Sequence, residues 1–347
     1  MNRNNVLDVV KGFAIINIIL IHTVWWSGLE YIPYDIIRQL TLMIDVPLFF
    51  FLSGWAASLH EQKFKDSIKR IVKLYIPYLI MLLVLWSFLF IFYKRVVSFD
   101  NILQWVTFSK RDSFEIGAVM GSVWFLPAFL ITSFVGTFID KYIRKKIGLI
   151  LIGFILGINI VFSLFNFEII DGSILGITSL RIIFFYMFFY FLGMCLRDIK
   201  ITKKQFICLF FSLLVVFLFF LAGSGFILEL QLNKFPPTTF YLVASMFSVI
   251  TTLYLKNFET KMGKLIEKKR FFAFLNFSGI NVYNLFLYQG FGAAIIYYIV
   301  YSQNFQTIHW AILLPICFVC NLAISYLLAF VFGKINNKIL ELSFKKS

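Results

Sequence analysis

The sequence predicts an all-α, polytopic membrane protein with about ten transmembrane helices in one bundle, and three observations lead there. Of its 347 residues, 61% are hydrophobic and only 14% charged, with mean hydropathy +0.88; a soluble domain has about 25% charged residues. Apolar runs near twenty residues long recur along the chain, the length a helix needs to cross a hydrocarbon core. Most of the 32 Lys and Arg lie between these runs, with a strong preference for one side.

Spans are expected near 6–26, 39–60, 74–93, 122–139, 147–165, 180–197, 205–227, 238–255, 279–301 and 310–332. With the N-terminus inside, seven basic residues face outward: Arg38, Lys94, Arg95, Lys110, Arg111, Arg181 and Lys234. The other 25 of the 32 are cytoplasmic, as the positive-inside rule demands. The net charge of +15 is therefore topological, and no nucleic-acid partner is expected. The expected location is the cell (cytoplasmic) membrane, with both termini cytoplasmic and membrane lipids as neighbours. The four cysteines suggest no disulfide framework. Cys317 and Cys320 have redox spacing but lie in an apolar helix without the βαβ context of that motif, so packing is expected. Residues 12–26 lack a small-x-small cleavage site and are not read as a cleaved signal peptide.

The first span concentrates the chemistry. Lys11 and His22 are eleven residues apart, about three helical turns and about 16 Å along the axis. Asp8 falls on the same stripe, one turn before Lys11. The rest of the span is mostly Ile, Leu, Phe and Val, and an ionisable residue at membrane depth is costly enough to be a functional candidate. His22 is the only histidine inside an apolar span, since His60 and His309 fall at expected solvated edges. An imidazole also titrates near neutrality, as a general base requires.

This opening, Asp8 then Lys11 and Gly12 then His22, resembles that of the integral-membrane acyltransferase 3 family. Further motifs extend the resemblance as far as Tyr283. The Phe-rich run from Val46 to Trp55, with Ser53 and Gly54 near its end, is similar to a family segment; its small residues serve either a tight helix crossing or substrate contact. Arg70 and Lys73 precede a Leu and a Pro77-Tyr78 pair where the family has Arg-x-x-Arg, and Lys cannot reproduce a bidentate guanidinium contact. With Lys69 they hold either a phosphate or anionic lipid. Trp124 opens the fourth span in a Trp-Phe-Leu sequence, as acceptor wall or as belt aromatic. The end of the sixth span, Phe191-Leu192-Gly193-Met194, also fits. Tyr283 is present, but the histidine expected shortly after it is replaced by Phe286.

The resemblance implies a membrane O-acyltransferase moving an acyl group, acetyl first among them, from acyl-CoA to a hydroxyl of a bacterial surface carbohydrate or lipid-linked glycan precursor. His22, with Lys11 and Asp8, would be catalytic. Lys11, Arg70, Lys73 and Lys69 would meet the phosphates of acetyl-CoA. Ser53, Trp124, Tyr283 and Asn284 would meet substrate; Asn281, Asn284 and Gln289 bond either a sugar or neighbouring helices. No metal is expected, and oligomeric state leaves no mark on the sequence. A single integral membrane domain over 1–347 is expected, without room for the extracytoplasmic domain some relatives carry. Residues 98–108 read as a short capped helix at the interface. Spans seven and eight, joined at Pro236-Pro237, offer no chemistry. The competing class is a transporter or flippase for lipid-linked sugars, but neither inverted repeats nor paired broken helices are evident.

The charge split predicts that position 66 faces the cytoplasm. A cysteine placed there should resist impermeant thiol reagents in intact cells and react after permeabilisation; strong labelling from outside would reverse the topology.

Overall fold

The computed structural model describes residues 4–26, 32–60, 64–109, 117–143, 146–165 and 178–344. Lys110 and Arg111 lie outside them. The protein is an all-α polytopic membrane protein. Among the described residues eight helices are long and apolar enough to cross a membrane, and two shorter apolar ones, Gly148–Leu164 and Leu180–Cys195, complete the ten expected spans.

Helix α1 (Asn5–Trp26) starts under a cap, the Asn4 Oδ1 atom accepting from the Leu7 N–H at 2.9 Å, with Asp8 in its first turn. Such a start satisfies a free amide and places negative charge at the positive end of the helix dipole. The second expected span is in fact two helices, α2 (Ile32–Thr41) and α3 (Val46–Ser58), with a break between them. Pro47 lies at the start of α3, where its missing N–H costs nothing. The break frees carbonyl groups inside an apolar protein, and Asn17 of α1 answers them, its Nδ2 donating to Thr41 O at 2.9 Å and Ile44 O at 2.6 Å. Non-helical backbone at this depth is tolerated only with such partners.

The basic segment before the third span is continuous with it in one 30-residue helix, α4 (Phe64–Tyr93). The expected capped helix is α5 (Phe99–Val106), with Ser98 Oγ accepting from the Asn101 N–H. Its C-terminal end does not rest beside the end of α4. Tyr78 and Tyr75, midway along α4, donate to the carbonyls of Trp105 (2.7 Å) and Val106 (2.8 Å). Carbonyls at a helix end lack intrahelical donors and need others when buried; Trp105 O also accepts from the Phe108 N–H at 3.1 Å. Tyr75 and Tyr78 thus fasten to α4 a segment that folds back along it.

Helices α6 (Gly117–Ser122) and α7 (Leu126–Ile143) flank a short 3-10 turn at Val123–Phe125. Next come α8 (Lys146–Leu164), α9 (Leu180–Cys195), α10 (Lys203–Gly223) and α11 (Thr239–Leu255). The chain ends with α12 (Glu259–Lys268), α13 (Arg270–Ile280), α14 (Val282–Ser302) and α15 (Trp310–Phe344).

Two helices act as hubs. α1 packs on α13, α14, α15, α2 and α3, while α9 packs on α3, α7 and α8. Each hub makes one crossing by paired glycines. A Cβ on Gly12 would lie 1.8 Å from Leu275 O, and one on Gly279 1.7 Å from Asp8 O. A Cβ on Gly54 would lie 1.8 Å from Tyr190 O, and one on Gly193 2.0 Å from Phe51 O. Backbones this close exclude any side chain, and small residues are what allow helices to approach in lipid. Gly54 therefore serves the helix crossing of the two readings offered for its motif. α10, by contrast, exposes most of its surface and offers lipid an apolar face.

Candidate active site

Three of the expected residues meet at one cavity. Lys11, Ser53 and Tyr283 line a space of about 160 Å³ together with Leu74, Phe125 and Phe286. Tyr283 is held there by donating to Leu74 O at 2.5 Å. Phe286 stands edge-on to Phe125, ring centroids 4.6 Å apart, and closes the wall. The basic turn of α4 is immediately adjacent in sequence to Leu74. Within it Arg70 turns inward, Nη1 donating to the Tyr190 hydroxyl at 2.9 Å, Lys69 is half-buried and Lys73 is exposed. Arg70 and Lys73 thus differ in exposure, although they are three residues apart.

His22 lies along α1 from Lys11, half-buried, and its Nδ1 is hydrogen-bonded to Oε1 of Gln289 on α14. Gln289 is fully buried. Its carboxamide nitrogen is also buried and meets no hydrogen-bond partner among the described residues. His60 and His309 are both exposed, so His22 is the least solvated of the three. Asp8 is buried at the start of α1, where its backbone forms the glycine crossing with α13.

Sequence reasoning missed a buried ion pair. Asp45, the residue before α3, and Lys234, in the connection between α10 and α11, are both buried and bridge at 2.5 Å. The Tyr241 hydroxyl donates to the same Asp45 oxygen at 3.0 Å. Asp45 does not cap α3 with its side chain, which leaves the carboxylate for this pair. Trp124 belongs to this cluster: it is buried rather than a belt aromatic, 4.6 Å from the Phe235 ring, with Lys234 Nζ 5.2 Å from its own ring centroid. That distance is within cation–π range. The connection judged featureless in the sequence therefore supplies a buried cation. Its one legible signal was Asp45 before Val46-Pro47, a helix-start pattern in the middle of an apolar span.

Asn284 is placed elsewhere. It accepts from Asn336 Nδ2 at 2.9 Å and lines a separate groove of about 500 Å³ with Tyr326 and Lys334.

Residues 4–330 match the model of an acyltransferase domain family, acyltransferase 3. The chain belongs to the acyltransferase 3 family. It is accordingly a membrane acyltransferase. No curated protein and no solved structure matches it. Lys73, at the position where the resemblance implies Arg, is exposed, whereas Arg70 is partly buried and donates to Tyr190. Where the resemblance implies a second histidine the chain has Phe286, and the polar group that meets His22 is Gln289, one helical turn further on.

Lys234→Met should leave Asp45 charged and unpaired in an apolar interior and cost about 3–5 kcal/mol of stability. Adding Asp45→Asn should recover most of the loss. Unfolding in detergent, followed through a double-mutant cycle, measures both; additive losses would deny the pairing.

Proposed function

We propose that this protein transfers an acyl group, with acetyl as the working case, from acyl-CoA to a hydroxyl of a bacterial surface carbohydrate or lipid-linked glycan precursor. The observation behind the proposal is the polar stripe of α1: Lys11 at a cavity and His22 further along, inside a mostly apolar helix. The cavity, about 160 Å³, is smaller than the roughly 300–1,000 Å³ of a site enclosing a drug-sized ligand. It suits a slender part of a ligand, such as the thioester arm of the donor, and not the whole of CoA.

In this reading the donor's phosphates rest at the cytoplasmic end on Arg70, Lys73 and Lys69, and the thioester arm passes Lys11, Ser53 and Tyr283. The acceptor comes from the other side, near Trp124. The Nε2 lone pair of His22 takes the proton of the acceptor hydroxyl as its oxygen attacks the thioester carbonyl carbon. The C–S bond then breaks, the sulfur leaves with the electron pair and receives the proton back from His22, and the products are ester and free CoA thiol. Transfer through an acyl-imidazole would use the same lone pair. Asp8 supports the start of α1 and stands too early on the helix to share this step.

A transporter for lipid-linked sugars is the runner-up, favoured by the break between α2 and α3, since broken helices build transport sites. Purified protein with labelled acetyl-CoA and a deacetylated surface glycan separates the two. Transfer of label supports the acyltransferase proposal, and its complete absence with an accepted glycan favours transport. In that assay His22→Ala should lower kcat by about 10²–10⁴-fold with the protein still folded. Arg70→Gln should chiefly raise the apparent KM for acetyl-CoA. A folded His22→Ala protein with full activity would remove the base from the mechanism.

A further inference from the structure

A neutral imidazole has two tautomers, and only the one with its hydrogen on Nδ1 leaves a lone pair on Nε2. A base at His22 therefore depends on what Nδ1 touches. The atom it touches is Oε1 of Gln289. A carboxamide oxygen accepts and cannot donate, so in this pairing the hydrogen sits on Nδ1. The same amide in the opposite orientation would donate to Nδ1 and force the hydrogen onto Nε2, which could then take no proton from a hydroxyl.

The stretch of α14 bearing Gln289 is pinned on several sides. A Cβ on Gly290 would lie 2.7 Å from Ala118 O of α6, and one on Gly292 2.1 Å from Asn321 Oδ1 of α15. Asn321 in turn donates to Thr23 Oγ1 of α1 at 2.9 Å, next to His22 in the chain. The backbones that carry histidine and glutamine are thus held close together. Gln289 also lies one turn beyond Phe286, which lines the cavity, so the two share a helix face.

We infer that Gln289 is a positioning residue for acyl transfer: its carbonyl holds His22 as the Nδ1–H tautomer and turns Nε2 toward the acceptor hydroxyl. The part played by His22 in turnover rests on the function proposed above, whereas the tautomer is a property of the resting protein. The full chain is labelled with [15N]histidine in nanodiscs, with His60→Asn and His309→Asn removing the two exposed histidines. Imidazole 15N shifts are then read above neutral pH. The wild-type pair should show hydrogen on Nδ1. Gln289→Met should shift His22 toward the Nε2–H form and lower kcat by at least about tenfold, as a misplaced imidazole hydrogen does elsewhere, with KM for acetyl-CoA changed less than about twofold. Gln289→Glu, of the same shape and still an acceptor, should keep the Nδ1 hydrogen, and it provides the test if the Met variant folds poorly.

Hydrogen on Nε2 in the wild type, or in the Glu variant, overturns the inference. So does an unchanged Nδ1–H signal, or an unchanged kcat, in a folded Met variant. Because the tautomer is read without turnover, a fully active His22→Ala protein would overturn the base and leave the pairing to be judged by its spectrum.

Discussion

Hydrocarbon offers no water to a polar group, so a polar group buried here gains from a partner supplied by the chain itself, and several of those partners come from distant segments. That demand organises the fold more than apolar packing does, since lipid tails are as apolar as leucine and do not drive helices together. Asn17 answers the broken α2–α3 backbone, Tyr75 and Tyr78 answer the end of α5, and Lys234 answers Asp45. At the end of α9, Lys256 donates to the carbonyls of Leu196 (3.0 Å), Ile199 (2.8 Å) and Arg197. A lysine that counts in the sequence as one more cytoplasmic charge is thus a buried clamp on a helix terminus.

The same demand explains what could be read in advance. Lys11 and His22 were legible because each is conspicuous within its own apolar run, and the ten spans were legible because apolar length is a local property. Gly54 and Gly193 were visible as motif residues, but that they face each other was not. The partners are the hidden part. Asp45 and Lys234 are 189 residues apart, and His22 and Gln289 are 267 apart. No periodicity links positions so distant, and each residue alone has an ordinary local explanation. The split of the second span was missed for a related reason: hydropathy averages over residues 42–45, while Pro47 and a distant asparagine decide that the helix breaks there.

The site that results is asymmetric. One end of α1 brings Lys11 to a narrow cavity, and further along the helix His22 meets Gln289, while Asp45, Lys234 and Trp124 form a buried cluster of their own. The two ends share α1, so a shift of that helix would change both at once.

The glycine crossing of α1 with α13 bears on how the protein is made. Gly12 and Gly279, like His22 and Gln289, are separated by 267 residues. At about 5–20 residues per second, a ribosome needs roughly 15 to 50 s to supply the second member of each pair. Through that interval the first helix sits in the membrane with Lys11 and His22 exposed and their eventual neighbours unmade. Its early tenure therefore depends on its aliphatic residues and on the charge at its start, and the pairing of His22 with Gln289 is among the last features the chain can complete.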